Sequence, residues 1–391
     1  PSARSAAASA HHLRRTHGPR PARRTLAAFA KRGDRGASTA RRARRHRPQS
    51  TPFAQGRTEG FPRQRIHKEE TIFPREGRPL QQHRQDETAQ AEANFGRPAR
   101  LIQGAQAPPI MIANSIVKQS GSIPSTEGLP ISYDLYIPSV SVPETFNVIL
   151  FIHGFKGFKD WGPFPDACED LARAGFAVVA FNLSHSGLGT SGTDTSRPDL
   201  FRTMTLSQDV RDIGSVIAAI RSGDITTDRI VMNPEKIGLV GHSRGGHNAI
   251  VATAEFPEVK CLVSWSAVAD FNEFWTAQMV KDWEEKGVTD VVNSRTGEVL
   301  QLGREGYDDL KEHASRVTAL RRVREVRVPS LFIVGKKDES VPVGHSERLY
   351  MACPSDVKEI RLIPGAGHTF DASHPFALSD YPTRFAEVLE F

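Results

Sequence analysis

The sequence predicts an α/β fold with a mostly parallel sheet that has helices on both of its faces. Two observations support this prediction. Short, continuously apolar runs recur along residues 111–391, as they do in strands that are covered on both faces. Segments with apolar residues at helical spacing separate these runs. Strands that alternate with helices pair in parallel, because each helix carries the chain back across a face of the sheet.

The apolar runs and the helical spacing also give the order of the elements. Predicted strands are the start of a first strand at Met111–Val117, a half-buried strand at Ile131–Ile137, and buried strands at Asn147–Ile152, Phe176–Phe181, Lys236–Val240, Lys260–Trp265, Ser330–Val334 and Glu359–Ile363. Predicted helices are Ala167–Ala174, Ser207–Arg221, Gly246–Glu255 and a closing helix in Pro375–Phe391. Sites in such sheets form at the carboxyl ends of strands, so the residues just after each strand are the first functional candidates.

The first 110 residues differ from the rest in composition. They hold 23 Lys and Arg against 8 Asp and Glu, whereas residues 111–391 hold 28 against 37. The formal net charge of +6 is therefore the sum of a basic piece (23 − 8 = +15) and an acidic piece (28 − 37 = −9). The segment has almost no apolar periodicity and cannot bury enough apolar surface to offset chain entropy. We expect residues 1–110 to be disordered and residues 111–391 to form the folded domain.

Three interpretations of the basic segment stay open. A basic tail can bind nucleic acid or anionic lipid through phosphates, although its phenylalanines are too widely spaced to stack on successive bases. An Arg- and Ser-rich stretch, with Asp34 as the single acid among the first 50 residues, also resembles a transit peptide. The chain begins with Pro1 and its first Met is Met111, where the composition changes. This favours an over-extended reading frame, or a tail without a role in catalysis.

Composition also limits the chemistry of the folded domain. Three cysteines, Cys168, Cys261 and Cys353, are widely and irregularly spaced, which argues against a disulfide framework or a zinc knuckle. No apolar stretch approaches the roughly 18 residues that a membrane span needs. We expect no metal, no organic cofactor, no membrane span, no nucleic-acid binding by the folded domain and a cytoplasmic location.

A long connection between the strands that end at Trp265 and begin at Ser330 interrupts the alternation. Its aromatic and apolar side chains recur at helical spacing and predict one amphipathic helix: Phe271, Phe274, Trp275, Met279 and Trp283. A hairpin over Val291–Leu302, with Thr296-Gly297 in its turn, is predicted to follow. Connections of this length are usually functional.

We therefore interpret residues from about 270 to 325 as a small cap over a site at the sheet edge. Phe274, Trp275 and Met279 are its candidate substrate-binding residues. The alternative is that the aromatic stripe only packs on the core.

The segment Gly241-His242-Ser243-Arg244-Gly245 lies between a predicted strand and a predicted helix. This is a G-x-S-x-G sequence, in which a sharp turn presents the serine hydroxyl and small residues allow the backbone to approach closely. Serine needs a neighbouring base to become nucleophilic. The pattern predicts Ser243 as a nucleophile for acyl transfer.

The base and its orienting carboxylate are expected after later strands, in the order Ser, acid, His. Asp338 falls just past the predicted strand that begins at Ser330, and Glu339 is the neighbouring alternative. His368 follows the last strand, in Gly365-Ala366-Gly367-His368, with His374 and His345 as competitors. Order and strand-end placement favour Asp338 and His368.

Acyl transfer also needs donors for the oxyanion that forms. The first buried strand runs into His153-Gly154-Phe155, where Gly154 allows a sharp turn that directs the Phe155 N–H toward the serine. The second donor is expected to be the N–H of Arg244, directly after the nucleophile. A purely structural turn would explain the glycine equally well.

Four motifs resemble those of the α/β-hydrolase superfamily: HGF at 153–155, GHSRGG at 241–246, GKKDESVP at 335–342 and GAGHTF at 365–370. The chain is most similar to the group of dienelactone hydrolases, feruloyl and cinnamoyl esterases and serine aminopeptidase-like hydrolases, over about residues 115–391. The resemblance implies an α/β-hydrolase fold with a mostly parallel eight-stranded sheet. It also implies Ser243, Asp338 and His368 as the catalytic triad and an oxyanion hole at Phe155 and Arg244. Dienelactone hydrolases carry Cys where this chain has Ser243, which weakens the expectation of that activity.

Together these observations predict a serine esterase that cleaves a small-molecule ester through an acyl-enzyme. The nearest alternative is an aminopeptidase-like amide hydrolase, which needs a carboxylate in the cap to bind the free amine of its substrate. Candidates for that carboxylate are Glu273, Asp282, Glu284 and Glu285. A non-catalytic binding protein on a hydrolase scaffold is the other alternative, although such proteins usually lack one member of the triad.

Overall fold

The computed structural model describes residues 115–140, 144–189, 195–293, 296–377 and 380–391. The predictions for residues 1–110, and most of the strand start predicted at 111–117, lie outside these ranges. Ten strands lie in the described part of the chain: β1 Ile116–Pro124, β2 Pro130–Pro138, β3 Thr145–Ile152, β4 Phe176–Phe181, β5 Val231–His242, β6 Val259–Trp265, β7 Val288–Val292, β8 Val299–Gly303, β9 Ser330–Gly335 and β10 Lys358–Ile363.

The helices of the described residues alternate with these strands. They are α1 Phe164–Arg173, α2 Pro198–Arg202, α3 Leu206–Ser222, α4 Arg244–Glu255, α5 Ala277–Lys286, α6 Glu305–Val317, α7 Ala319–Arg322, α8 Gly344–Ala352 and α9 Thr383–Leu389, with short 3₁₀ turns at Phe271–Phe274 and Val323–Glu325. Every predicted strand from Ile131 onward overlaps an observed strand, so the alternating pattern of the sequence is confirmed.

Eight strands form one sheet in the order β1-β2-β4-β3-β5-β6-β9-β10. The pairs β1–β2 and β2–β4 are antiparallel, and the remaining pairs are parallel. The predicted mostly parallel eight-stranded sheet is therefore confirmed. The chain leaves β3 for β4 on one side of β3 and then crosses back to β5 on the other side. The connections that follow the neighbouring strands β3 and β5 therefore run in opposite directions. Such a switch point is where α/β sheets form their binding crevices.

Two apolar clusters cover the two faces of this sheet. One packs β1–β5 against α3 and α4 and includes Val179, Ile213 and Ile250. The other packs the opposite face against α1 and α9 and includes Phe151 and Phe385. Because strands covered on both sides must be apolar at successive positions, these clusters explain the continuous apolar runs of the central strands.

Two predicted helices are wrong in extent. The single amphipathic helix expected over Phe271–Trp283 is instead a 3₁₀ turn followed by α5, because Thr276 adopts extended backbone angles and its side chain accepts a hydrogen bond from the Met279 N–H as an N-cap. The closing helix expected in Pro375–Phe391 is limited to α9, which follows Pro382. Proline lacks an N–H and clashes with the preceding turn, so neither Pro375 nor Pro382 can lie inside a helix.

The connection between β6 and β9 holds the 3₁₀ turn at Phe271–Phe274, α5, the antiparallel pair β7–β8, and α6. We call residues 270–325 the insertion. The predicted hairpin is confirmed as β7–β8, with Gly297 at a φ of 72° in its turn. Six buried side chains form the core of a separate apolar cluster that joins the insertion to α2 and the residues after it: Phe201, Met204, Trp283, Leu300, Leu302 and Tyr307.

Candidate active site

The nucleophile turn lies between β5 and α4. Ser243 has φ 58° and ψ −117°, a backbone conformation that residues other than glycine rarely adopt. Its N–H donates to the Trp265 carbonyl at 2.8 Å, and its own carbonyl accepts from the His247 N–H at 3.1 Å. A strained serine that is held by its neighbours on both sides is typical of a functional site.

The glycines around Ser243 are required by close backbone contacts. A Cβ on Gly241 would collide with the Gly245 carbonyl, and a Cβ on Gly245 would collide with the Ile152 carbonyl at the end of β3. A side chain is also excluded at Gly246, since a Cβ there would lie 2.8 Å from the Ala267 Cβ. The turn therefore keeps this geometry only if the three positions carry no side chain.

A chain of hydrogen bonds links Ser243 to the loops after β9 and β10. The His368 Nε2 lies 3.0 Å from the Ser243 Oγ, and the His368 Nδ1 lies 2.8 Å from the Asp338 Oδ2. Because Asp338 accepts a hydrogen bond from the Nδ1–H, the Nε2 of the neutral ring is left to accept a hydrogen bond from the serine hydroxyl. The three residues predicted from their order in the sequence are thus brought together in the arrangement of a catalytic triad.

Hydrogen bonds from His368 and from backbone N–H groups favour the ionised form of Asp338. Its Oδ1 accepts hydrogen bonds from the N–H groups of Ser340 at 3.0 Å and Val341 at 2.8 Å. Burial alone would raise the pKa of Asp338, but the hydrogen bond and charge of His368 and the Val341 N–H outweigh it and leave the pKa below its ordinary value. Asp338 is buried whereas Glu339 is exposed, so Asp338 is the carboxylate that meets His368.

The competing histidines have other partners. The His345 Nδ1 accepts from the Ala269 N–H at 3.2 Å, and the ring is buried beside Phe274. The His374 Nδ1 accepts from the Gly162 N–H at 2.9 Å, and its ring lies against those of Phe158 and Trp161. Neither ring has a hydrogen bond to Ser243 among the described residues.

The loop after β3 lies directly against the nucleophile. A Cβ on Gly154 would lie 3.1 Å from the Ser243 Cβ and 3.2 Å from the His242 carbonyl, so only glycine fits comfortably here. Phe155 follows Gly154 and Arg244 follows Ser243 in the chain, and neither N–H donates to a backbone carbonyl in the part of the chain that the structure describes. The role of these two N–H groups as oxyanion donors stays a prediction.

Two buried histidines that sequence reasoning missed support these loops. The His153 Nδ1–H donates to the Gly154 carbonyl at 2.9 Å, and its Nε2 accepts from the Leu183 N–H at 3.2 Å. The His242 Nε2–H donates to the His368 carbonyl at 3.0 Å. Burial lowers the pKa of His153 to about 4 and that of His242 to about 3, so both rings stay neutral donors. Their positions at the ends of β3 and β5 were the feature of the sequence from which a role in supporting these loops could have been inferred.

A cavity of about 640 Å³ opens above Ser243. The three predicted substrate-binding residues, Phe274, Trp275 and Met279, line it together with Ser243 and His368. Apolar and aromatic side chains dominate the rest of its wall, including Trp161, Phe164, Met204, Leu206, Phe271, Trp283, Leu302 and Tyr307. The insertion and the carboxyl edge of the sheet thus share one pocket.

The side chain of Arg244 forms an ion pair and hydrogen bonds within the wall of this cavity. Its Nε donates to the Asp209 Oδ2 at 2.6 Å, and its Nη2 donates to the Thr205 carbonyl at 3.1 Å. Asn248 donates to the same Asp209 oxygen at 2.7 Å. The ion pair is buried and its charge is balanced within the protein.

No Asp or Glu occurs among the described residues that line the cavity. The four carboxylates that could have bound a substrate amine lie elsewhere. Glu273 forms an ion pair with Arg348 at 2.7 Å, Asp282 pairs with Lys286 at 2.9 Å, and Glu284 and Glu285 are exposed on α5. The carboxylate that an aminopeptidase-like site requires is therefore missing from this part of the wall.

Other classes of site were sought in the described residues. No group of three or more His, Cys, Asp or Glu side chains is arranged to hold a metal ion there. None of the described helices combines the length and the apolar character that crossing a membrane requires.

Comparisons with known proteins agree with this architecture. A protein from Bacillus subtilis (strain 168) named "Uncharacterized peptidase YuxL" is 24% identical over 244 residues, which are 59% of this chain and 32% of that protein. The sn-1-specific diacylglycerol lipase ABHD11 of Mus musculus is 22% identical over 281 residues, 66% of this chain and 85% of that protein. The structure of Est1E from Butyrivibrio proteoclasticus with bound ferulic acid has a TM-score of 0.52 and 21% identity, and the match covers 69% of this chain and 95% of Est1E.

The family model described as "Alpha/beta hydrolase family" matches residues 149–388. This range runs from β3 to α9, so it contains the nucleophile turn, the loops after β9 and β10, and the insertion. Because the match covers more than half of the chain and agrees with the observed sheet, the chain belongs to the alpha/beta hydrolase family.

Proposed function

We propose that this protein is a serine esterase that cleaves carboxylic esters of small molecules through an acyl-enzyme. The observation that supports it is the hydrogen-bonded chain from Asp338 through His368 to Ser243, at a cavity with mainly apolar walls. A serine with a base at 3.0 Å and a buried carboxylate behind that base is equipped for nucleophilic attack on a carbonyl.

The first half of the reaction forms the acyl-enzyme. His368 Nε2 removes the proton of Ser243 Oγ as the oxygen attacks the ester carbonyl. The N–H groups of Phe155 and Arg244 stabilise the oxyanion, and the helix dipole of α4 adds to this because Arg244 is its first residue. The alcohol then leaves with the proton from His368.

The second half releases the acid. Water takes the place of the alcohol, gives a proton to His368 Nε2 and attacks the acyl carbonyl. Collapse of this second oxyanion returns the proton to Ser243. Asp338 keeps the imidazole in one tautomer and stabilises its charged form in both halves.

The insertion has a separate role in this proposal. We propose that residues 270–325 form a cap that binds the substrate, with Phe274, Trp275 and Met279 in contact with its apolar part. Their positions in the cavity wall support this role. Apolar walls with few polar groups are typical of small-molecule sites. No cofactor takes part in the proposed steps, and the predicted cytoplasmic location stays a prediction.

Amide hydrolysis of the aminopeptidase kind is the second candidate. The similarity to YuxL, named a peptidase, favours it. The lack of a carboxylate in the described wall of the cavity argues against it, since a free amine would then meet no counter-charge. We therefore favour esters over aminoacyl amides, and we favour an enzyme over a non-catalytic binding protein because all three triad members are present.

One set of measurements tests these proposals. Wild type and Ser243→Ala are treated with a fluorophosphonate probe and assayed with nitrophenyl esters of increasing acyl length and with aminoacyl anilides. We expect the wild type to be labelled and to hydrolyse the esters, and Ser243→Ala to do neither. A wild type that is not labelled contradicts a serine hydrolase, and faster turnover of anilides than of esters contradicts the esterase.

A further inference from the structure

Lys156 is a cation in the cavity wall that has no counter-charge among the residues that the structure describes. It follows the proposed oxyanion donor Phe155 directly and lines the same cavity as Ser243. Its ammonium group donates to the Val292 carbonyl at 2.8 Å and lies 5.3 Å from the centroid of the Phe155 ring. No carboxylate among the described residues forms an ion pair with it. An ammonium group has three N–H donors, so two of them are left for another partner.

The wall around Lys156 is mainly apolar and, among the described residues, contains no acid. The residue is half-buried and burial lowers the pKa of its ammonium group, while the hydrogen bond of that group to Val292 is exposed. Placing a charge in apolar surroundings is unfavourable unless another charge or hydrogen bonds compensate for it. Arg244, the other cation in the described wall, has Asp209 as its partner. The described wall therefore has a formal excess of positive charge, since no Asp or Glu lines it.

We propose that Lys156 binds an anionic substituent, such as a carboxylate, that the ester substrate carries in addition to its scissile bond. The proposal rests on the esterase function and adds a class of substrate to it. Because Lys156 and Ser243 line one cavity of about 640 Å³, a single small molecule can contact both. The negative charge of the ligand then supplies the counter-charge that the described wall lacks.

The hydrogen bond to Val292 offers a simpler role for the same residue. Val292 ends β7, so Lys156 also ties the loop after β3 to the insertion. If this tie were its only role, removing the ammonium group would impair the hydrolysis of charged and neutral esters alike. The ratio of the two rates separates the roles, because damage to the loop cancels in the ratio.

The test uses two matched pairs of esters. The first pair carries the charge on the acyl side: nitrophenyl hydrogen glutarate and its neutral methyl ester. The second carries it on the alcohol side: carboxyphenyl butanoate and carbamoylphenyl butanoate. For each pair the ratio of kcat/KM, anionic over neutral, is measured in wild type, Lys156→Met, Lys156→Arg and Lys281→Met. Lys281 is an exposed cation on α5 and serves as the matched control.

We expect the wild type to prefer the anionic member of one pair, and Lys156→Met to lower that ratio about tenfold or more, mainly through KM. Lys156→Arg retains most of the preference, and Lys281→Met leaves the ratio unchanged. A wild type that prefers the neutral member of both pairs overturns the proposal, as does a ratio that Lys156→Met leaves unaltered. Failure of the wild type to hydrolyse any of the four esters would instead count against the esterase function itself.

Discussion

The carboxyl edge of the sheet and the insertion above it are held together by different interactions. At the edge, Ser243 and Asp338 are held by backbone hydrogen bonds, and glycines permit backbone contacts that no side chain would allow. In the insertion, the rings of Trp275, Trp283 and Tyr307 pack on one another with centroids 5.1–5.4 Å apart. The edge thus fixes the positions of individual atoms, whereas the insertion encloses a volume.

This difference predicts how each region responds to change. Backbone hydrogen bonds and steric limits fix a geometry sharply, so alterations at the edge should affect the chemical step. Packed aromatic side chains can be replaced at the cost of stability or affinity, since they position no reacting atom. The following predictions test this contrast, from the largest expected effect to the smallest.

Asp338→Asn should lower kcat for esters about ten-thousand-fold, because the amide no longer holds the His368 tautomer or stabilises its charged form. The neighbouring Glu339→Gln is the matched control and should change kcat less than about threefold, since Glu339 is exposed. Steady-state kinetics with a nitrophenyl ester measure both. Equal losses in the two variants would contradict the assignment of Asp338.

Trp283→Ala should lower the free energy of unfolding by about 3–5 kcal/mol, because a fully buried ring and its hydrogen bond to the Leu302 carbonyl are lost. Val292→Ala, at an exposed position of the same insertion, should cost less than about 0.5 kcal/mol. Urea unfolding of the two variants gives the comparison. A cost below about 1 kcal/mol for Trp283→Ala would show that this cluster adds little to the fold.

Acid should destabilise the edge through its buried histidines. The pKa of His153 is about 4 in the fold and 6.5 in its ordinary state, so below pH 6.5 the unfolded chain binds the proton first and stability falls as the pH falls towards 4. We expect this histidine alone to remove about 3 kcal/mol over that range. Urea unfolding at about pH 7 and about pH 4.5 should show a smaller pH dependence in His153→Gln than in wild type. Identical dependence in the two proteins would contradict this account.

His242→Ala should lower kcat about tenfold with little change in KM, because the carbonyl of His368 loses the donor that positions its loop. His242→Gln retains an N–H donor and should recover part of the lost rate. Kinetics of the two variants with one ester separate positioning from packing. If glutamine is no better than alanine, the hydrogen bond has no positioning role.

Met279→Ala should have the smallest effect, a rise in KM of a few fold for long acyl chains with little change in kcat. Met279 lines the cavity but contacts none of the three triad residues by hydrogen bond. Nitrophenyl esters of short and long acyl chains provide the comparison. A fall in kcat with an unchanged KM would mean that the insertion contributes to the chemical step.

Much of the edge could be predicted from the sequence because its signals are local. A strand, the G-x-S-x-G turn and a helix follow one another directly, and their order determines where Ser243 must lie. Asp338 and His368 each follow a strand of a parallel sheet, so their loops meet Ser243 at the same edge. The role of the glycines could also be predicted, since a sharp turn with close backbone contacts leaves no room for a side chain.

The insertion could be predicted only in outline. The spacing of Phe271 to Trp283 indicates one helix, but Thr276 lies between the 3₁₀ turn and α5 as the N-cap of α5. Spacing does not show whether such a residue caps a helix or continues it. The sequence likewise suggested Glu273 and Asp282 as candidate carboxylates to bind a substrate amine. Both form ion pairs with neighbouring cations, because the direction of a side chain depends on contacts with distant segments.

The sequence by itself determined the α/β fold, the order of the strands along the chain and the identity of the three residues that form the hydrogen-bonded chain. These features follow from periodicity and from the order of residues along the chain. Only the tertiary structure decided which charges face the cavity. It pairs Arg244 with Asp209 and turns the acids of the insertion away from the described wall. It also gives Lys156 no carboxylate partner among the described residues. The physical reason is that an ion pair forms between groups close in space, and the residues involved lie up to 75 positions apart in the chain.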